Sequence, residues 1–243
     1  MSQKYPGGFI TKSPVAPTSS AASGMWTLDQ AMQLQKAGTW PPTLPAIGSA
    51  FGGGFFVGQI STAGNGIADY NLVIGPKSSA QVNTIWKNAQ TATSGADSTI
   101  NGTQNTADMV ADGNSTVYPA AHFCNDLVVG GFSDWYMPAK KELEICYYNL
   151  KPTTTSNNTG SGTNTNAVPS RSSNYTTGNP AQTSVTDFIT STGSEAFTAD
   201  RYWSSTEQDT TRANYQSFSN GLQDYQRSKN YSAQVRAIRR VAV

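Results

Sequence analysis

Short apolar runs separated by glycine- and asparagine-rich turns fill much of the chain from Phe51 onward. Short runs of this kind, bounded by turn residues, are typical of β-strands. They read FFVGQI at 55–60, NLVIGPK at 71–77, RYWSSTE at 201–207, ANYQSFSNG at 213–221 and AQVRAIRRVAV at 233–243. The pattern predicts a strand-rich domain in which FFVGQI pairs with the final run, so that both ends of the domain lie side by side.

Two segments have helical spacing instead. Residues 119–128 and 138–149 each begin at a proline, which is favoured in the first turn of a helix. The second helix places Leu143, Cys146 and Tyr147 on one face. A glycine turn at 130–131 joins the two helices, and the sequence therefore predicts an α+β domain with two helices beside an antiparallel sheet.

Residues 153–166 read TTTSNNTGSGTNTN and contain no apolar side chain. Such a segment has nothing to bury, so we expect an exposed and mobile loop, a spacer or rim rather than part of the core.

Residues 1–50 differ from the rest because prolines interrupt them repeatedly and leave room for one short helix, MWTLDQAMQLQKAG at 25–38. This segment cannot form a core alone, yet it carries large apolar side chains. We therefore predict an extended attachment arm at 1–50, docked on another chain, followed by a folded domain at 51–243. The predicted docking residues are Trp26, Leu28, Met32 and Trp40.

Charge is scarce and unevenly distributed. Charged residues are 13% of the chain and the net charge is +1, which argues against a general nucleic-acid-binding protein. Residues 1–96 carry five basic and two acidic side chains, residues 97–209 five and twelve, and residues 210–243 six and one. A basic surface is therefore expected only near the C-terminal end. No apolar stretch is long enough to span a bilayer and no secretory signal precedes the domain, so we expect no membrane insertion and no export by that route.

Candidate catalytic and metal-binding residues are few. The chain has two cysteines, Cys124 and Cys146, and one histidine, His122. These three cannot form a four-ligand zinc site without carboxylates, and His122 lies in a short apolar helix. We expect buried free thiols, a structural histidine, no metal, no cofactor and no enzymatic activity.

An ordered set of motifs resembles the C-type-lectin-like domain of bacterial and phage surface proteins, of the kind found at the C-terminus of collagen-like adhesins. The motifs are G-x-x-D-W-x-x-P with E-L shortly after, then Y-W-S-S-T, an aromatic residue before N-G, and a late V-R. Here they comprise Gly131, Asp134, Trp135, Pro138, Glu142, Leu143, Tyr202, Trp203, Ser204, Ser205, Thr206, Phe218, Gly221, Val235 and Arg236. The resemblance covers about residues 52–243 and implies a lectin-like fold in which Trp135 and Trp203 belong to the core. The calcium-binding triplets of many C-type lectins are missing, so we expect calcium-independent binding.

The arm carries a second resemblance. Trp26, Thr27, Leu28, Trp40 and Pro41 match G-x-W-T-L and G-x-W-P patterns that are similar to N-terminal attachment segments of marine and cyanobacterial phage virion proteins. Together the two resemblances imply a virion protein assembled in the host cytoplasm, such as a tail fibre, appendage or tip adhesin. Its expected partners are other virion proteins, a host-surface glycan or protein, and further copies of itself, a trimer being one arrangement. The alternative is a decoration or cement protein with no external ligand.

The C-terminal third is the predicted ligand-binding region because Tyr, Asn and Arg occur there at the density found in paratopes. The candidate residues are Glu207, Asp209, Arg212, Asn214, Tyr215, Gln223, Tyr225, Arg227, Lys229 and Tyr231. Ordinary solvated strands remain the alternative. A basic set lies in the same region and either binds anionic glycans or is neutralised by carboxylates or by a neighbouring subunit. This set comprises Arg227, Lys229, Arg236, Arg239 and Arg240.

Overall fold

The computed structural model describes residues 44–243, apart from the side chains of Tyr225 and Gln226. Ile47–Val243 forms one compact unit. It contains two β-sheets, whose strand pairs are mostly antiparallel, together with helices, which confirms the predicted α+β class. The arm residues Trp26, Leu28, Met32 and Trp40 and the helix predicted at 25–38 lie outside the described residues.

The first sheet contains the two ends of the folded domain. Its strand order is β1-β2-β3-β10, and the short strand β5 also pairs with β2. The strands are β1 (Ala50–Phe51), β2 (Gly54–Ile60), β3 (Tyr70–Ile74), β5 (Ala167–Val168) and β10 (Ile238–Ala242). Because β3 lies between β2 and β10, the predicted pairing of FFVGQI with the final run is wrong, although both segments share one sheet.

The second sheet has the order β4-β9-β6-β7-β8. Its strands are β4 (Gln81–Ile85), β6 (Arg201–Glu207), β7 (Arg212–Ser217), β8 (Gln223–Ser228) and β9 (Ser232–Arg236). Strands β6 and β9 are parallel, so the second sheet is not purely antiparallel as predicted.

The final apolar run is divided between the two sheets. β9 ends at Arg236 and β10 begins at Ile238, so Ala237 lies at the crossing. The Ala237 carbonyl accepts a hydrogen bond from Gly75 N at 2.9 Å, and the Ala237 N–H donates to Ala80 O at 2.9 Å. The backbone groups at the break are thus satisfied by residues outside both strands.

Four helices occur in the described residues where two were predicted. They are α1 (Lys77–Ala80), α2 (Gly102–Asp112), α3 (Pro119–Asn125) and α4 (Lys140–Leu150), and Thr186–Phe188 forms one 3₁₀ turn. The two predicted helices correspond to α3 and α4. α2 was missed because its buried face is mostly polar: Gly102, Asn105, Thr106 and Met109. None of the helices in residues 44–243 is long and apolar enough to cross a bilayer.

The core has two apolar clusters. One contains the buried apolar residues of α4, and the other contains Met109 of α2 and Cys124 of α3; both include strand residues. Trp135 and Trp203 are both buried in one cluster, as predicted. Both cysteines are buried and free. His122 lies in α3, and its Nε2 is 2.7 Å from Gly113 O, a contact within the fold that agrees with a structural histidine.

The polar segment at 153–166 is not a simple exposed loop, and this prediction is wrong. Asn157, Asn164 and Asn166 are buried. Tyr147 OH donates to Asn157 Oδ1 at 2.7 Å, Asn164 Nδ2 donates to Lys141 O at 2.9 Å, and Asn166 Nδ2 donates to Ser61 O at 2.7 Å. Side-chain amides can therefore fill a core position when each donor and acceptor finds a partner.

Candidate functional site

The nine predicted ligand-binding residues whose side chains the structure describes do not form one surface. Asn214, Tyr215 and Lys229 are buried. Asn214 Nδ2 donates to Thr206 O at 3.1 Å, and Tyr215 OH donates to Asp224 Oδ2 at 3.3 Å. Because all three residues are buried, their side chains are unavailable to an external ligand.

The buried Lys229 ammonium pairs with Glu207, so two of the predicted residues neutralise each other. The Arg236 guanidinium is fully buried and pairs with Glu195 at 2.6 Å. Arg239 pairs with Asp134 at 2.7 Å and Arg240 with Glu142 at 2.8 Å. Each of these four cations of the basic set is therefore paired with a carboxylate of the same domain. This is the arrangement expected if the basic set is neutralised by carboxylates.

Asp209 and Arg212 brace a surface turn. Asp209 Oδ1 accepts hydrogen bonds from Thr211 N and Arg212 N, each at 2.9 Å, and Oδ2 pairs with Arg212 Nε at 2.7 Å. The hydrogen bond from the Thr211 backbone, followed by those from the Thr211 and Arg212 side chains, lowers the pKa of Asp209 to about 2.

This depressed pKa predicts a titration that NMR can follow. The contribution of Asp209 to stability is present above its ordinary pKa of 3.8 and is lost as pH falls towards about 2. We expect the carboxyl carbon signal of Asp209 to titrate near pH 2, and Thr211→Val to move its midpoint upward. A midpoint near 3.8 in the unaltered protein would contradict the turn geometry.

Arg227 and Tyr231 form an outward-facing pair. Tyr231 is 53% exposed, and the Arg227 guanidinium carbon lies 4.4 Å from the centre of its ring. Trp203 Nε1 donates to Tyr231 O at 3.2 Å, which fixes the tyrosine backbone to the core. Tyr225 lies two residues before Arg227 in β8, and its side chain lies outside the described residues.

Gln223 lies in a small polar cleft, which we call the Lys140 cleft. Its volume is about 230 Å³. The start of α4, the 160–163 segment and the start of β8 supply most of the lining, and Thr99 and Asn174 complete it. The lining residues are Thr99, Lys140, Lys141, Gly160, Ser161, Gly162, Thr163, Asn174 and Gln223.

Hydrogen bonds hold the walls of the Lys140 cleft together. Gln223 N donates to Ser161 Oγ at 3.0 Å, and Gly162 N donates to Gln223 Oε1 at 3.3 Å. On the other side, Lys141 N donates to Thr99 O at 2.9 Å. The cleft is therefore a preformed part of the fold.

The two lysines give the cleft a positive charge. Lys141 Nζ donates to Asn166 Oδ1 at 2.7 Å, whereas Lys140 Nζ has no hydrogen-bond or ion-pair partner among the described side chains. Burial lowers the pKa of Lys140, and the Lys141 charge lowers it further against an opposing effect of Asp224. Burial also lowers the pKa of Lys141, opposed by Glu144. An anionic group in the cleft would relieve the repulsion between the lysines.

Sequence reasoning missed the Lys140 cleft, although one signal was present. Two lysines directly follow Pro138 and Ala139 and occupy the first turn of α4. Cations there oppose the helix dipole, at a cost of about 0.3–1 kcal/mol each when exposed. The 160–163 wall could not be placed from its sequence, because it was interpreted as a free loop.

No protein-family model matches the chain, and no curated protein shows significant similarity to it. Within residues 44–243, no group of three or more His, Cys, Asp or Glu side chains is placed to hold a metal ion.

Proposed function

We propose that the chain is a phage virion protein whose domain binds a host-surface glycan through the Lys140 cleft. The observation that carries this proposal is the Lys140 ammonium, which has no ion-pair partner among the described residues and lies beside Lys141 in a cleft otherwise lined by hydroxyl, amide and backbone groups. Sugars present hydroxyl groups to such side chains, and a carboxylate or phosphate on a sugar would pair with Lys140. The ligand class is therefore an acidic glycan.

The lectin-like fold belongs to the same proposal. β2 and β10 both pair with β3, which brings the two ends of the domain into one sheet. A long segment without regular helices, residues 151–200, separates α4 from β6 and supplies one wall of the cleft. Both features support the lectin-like fold that the resemblance of the D-W-x-x-P and Y-W-S-S-T motifs implies.

A binding role is favoured over an enzymatic one. Burial raises the pKa of both thiols, Cys124 and Cys146, and a protonated buried thiol is a poor nucleophile. The Lys140 cleft contains no carboxylate pair suited to glycoside hydrolysis among its lining residues. Residues 1–50 would attach the protein to other virion proteins, and a homo-oligomer would present several clefts at once.

One observation favours the decoration-protein alternative. An apolar groove of about 460 Å³ lies beside α3, and Val128 on its rim is 72% exposed. Exposed apolar surface of this kind is typical of subunit contacts. In that case the protein would bind the particle surface and no glycan.

The binding test compares the full chain with two single variants that each remove one positive charge. Lys140→Gln changes the cleft, whereas Arg201→Gln changes an exposed arginine near the Tyr215 ring. We expect Lys140→Gln to weaken binding to polygalacturonate by about tenfold to a hundredfold, as for loss of a charge-assisted hydrogen bond of about 1.5–3 kcal/mol. Arg201→Gln and the neutral polymer dextran serve as controls, measured by biolayer interferometry at two salt concentrations.

Equal binding of the two variants to polygalacturonate, or equal binding of polygalacturonate and dextran, would contradict the acidic-glycan cleft. If no glycan binds, immunogold labelling of virions then separates the remaining possibilities. Uniform label on the capsid or tail shell would favour the decoration role, and label confined to fibres or tips would favour a protein receptor.

A further inference from the structure

The Lys140 cleft adjoins a second cleft, which we call the Arg171 cleft. The Arg171 cleft has a volume of about 260 Å³, and it is lined by the 170–175 segment together with Tyr148 and Asn179. Asn174 belongs to the lining of both clefts. The two clefts therefore share one side chain at their boundary.

The wall between the clefts is a short two-stranded ribbon. Residues 161–164 and 171–175 run antiparallel, because Asn164 and Arg171 exchange two backbone hydrogen bonds of 2.8 and 2.9 Å. The buried Glu144 carboxylate holds both of these residues through their side chains. Paired strands lie only about 4.8 Å apart. A ligand longer than one sugar residue can therefore extend across the ribbon from one cleft to the other.

The crest of the ribbon offers a hydrogen-bond donor at this boundary. Thr163 and Asn174 are both exposed, and Thr163 Oγ1 donates to Asn174 Oδ1 at 2.7 Å. This bond orients the amide, whereas Asn174 Nδ2 has no hydrogen-bond partner among the described residues. The amide nitrogen can therefore donate to an oxygen of a ligand that crosses the ribbon.

The Arg171 cleft differs from the Lys140 cleft in its charge. Arg171 is the one charged residue in its described lining, and it pairs with the buried Glu144 carboxylate. Ser172 and Ser173 are exposed, and neither hydroxyl has a hydrogen-bond partner among the described residues. A cleft of balanced charge that offers hydroxyl and amide groups suits the hydroxyl groups of a sugar.

The Arg171 guanidinium is held in place but keeps donors for a ligand. Its central carbon lies 3.9 Å from the centre of the Tyr148 ring, and its Nη2 donates to Glu144. Its Nε is buried with no hydrogen-bond partner, and its Nη1 has none within residues 44–243. A fixed arginine whose donors are not all used can bind a sugar oxygen at Nη1.

We propose that the Lys140 cleft and the Arg171 cleft are two subsites of one oligosaccharide site. This inference rests on the proposed binding of an acidic glycan. An acidic sugar residue binds in the Lys140 cleft, the ligand crosses the ribbon at Asn174, and a following residue binds in the Arg171 cleft through its hydroxyl groups. The ligand is thus a stretch of polysaccharide and not a single acidic sugar.

NMR titration of the full chain with galacturonate and with tetragalacturonate tests the inference. We expect the tetrasaccharide to bind at least about tenfold more tightly, as for two additional hydrogen bonds in the Arg171 cleft. The amide signals of residues 172–173 should shift with the tetrasaccharide and stay in place with galacturonate. Both ligands should shift the signals of Lys140 and Lys141.

A variant that fills the Arg171 cleft provides the second measurement. Ser173→Phe places a large side chain in the cleft, and Ser191→Phe, at another exposed loop serine, is the matched control. We expect Ser173→Phe to lower the ratio of tetragalacturonate affinity to galacturonate affinity by about fivefold or more. Ser191→Phe should keep the ratio. Comparing the ratio between proteins cancels the larger number of binding positions on the longer ligand.

The outcomes separate this inference from the proposed function. Equal affinity for the two ligands, or an unchanged ratio in Ser173→Phe, would overturn the second subsite and leave the Lys140 cleft as the binding site. If neither ligand binds, the proposed function and this inference are both wrong. Should Ser173→Phe fail to fold, the unaltered protein still decides, because absence of the shifts at 172–173 with tetragalacturonate excludes the second subsite.

Discussion

Replacing Glu142 by alanine is expected to lower the free energy of unfolding by about 3–5 kcal/mol, the range for breaking a buried ion pair from one side. Glu142 is fully buried at the start of α4. Its Oε1 accepts from Tyr136 OH at 2.6 Å and Arg240 Nε at 2.8 Å, and its Oε2 accepts from Ala139 N at 2.8 Å and Gly102 N at 3.1 Å. Alanine would leave all four donors without their acceptor. Urea unfolding followed by circular dichroism measures the loss.

Two further variants separate the charge from the hydrogen bonds. Glu142→Gln keeps the shape and part of the acceptor set, so we expect it to lose less stability than Glu142→Ala. The double variant Glu142→Ala with Arg240→Met removes both charges and should recover part of the loss. A Glu142→Ala loss under 1 kcal/mol would mean that water replaces the carboxylate, and would contradict the buried network.

Replacing Glu144 by alanine is expected to damage both stability and ligand binding. The buried Glu144 carboxylate pairs with Arg171 and accepts from Tyr175 OH at 2.7 Å and Asn164 Nδ2 at 2.6 Å. Asn164 and Tyr175 each adjoin a lining residue of the Lys140 cleft, Thr163 and Asn174. We expect a loss of about 3–5 kcal/mol, because Arg171 keeps its charge in a nearly buried position.

The functional effect of Glu144→Ala distinguishes it from Glu142→Ala. Under conditions where both variants remain folded, only Glu144→Ala removes anchors of the 160–174 wall, so it should weaken polygalacturonate binding more than Glu142→Ala does. Equal glycan affinity in the two folded variants would show that Glu144 has no part in shaping the cleft. Amide hydrogen exchange at 160–174 provides an independent measurement, with faster exchange expected in Glu144→Ala.

The elements that the sequence predicted correctly are those with apolar periodicity. α4 follows from Leu143, Cys146 and Tyr147, and β6 follows from the run around Trp203. α2 has the same helical spacing on its buried face, but Asn105 and Thr106 occupy the positions where an apolar stripe is sought. The Asn105 side chain can be buried without an unsatisfied donor because its Nδ2 donates to Ser98 O at 2.7 Å. No local sequence pattern indicates this contact.

The candidate site was less predictable, because charge in a sequence does not reveal its partner. Arg236 finds Glu195 at a separation of 41 residues, and Arg240 finds Glu142 at a separation of 98. The sequence therefore left open whether these arginines bind a ligand at the surface or are neutralised within the fold. Lys140 is the opposite case, since Glu142 and Glu144 follow it closely in sequence but no carboxylate in the described part of the chain forms an ion pair with it.

The division of the final run at Ala237 has a consequence for the order in which the domain can assemble during translation. Strand β9 lies between β4 and β6, and β10 pairs with β3, so neither sheet is complete before residues 232–242 leave the ribosome. Until then the strands made earlier keep unpaired edges, at which the nascent chain can mispair or be bound by chaperones. A ribosome stalled at residue 230 should therefore carry a protease-sensitive chain, and one stalled far enough beyond 243 to clear the exit tunnel should carry a resistant domain.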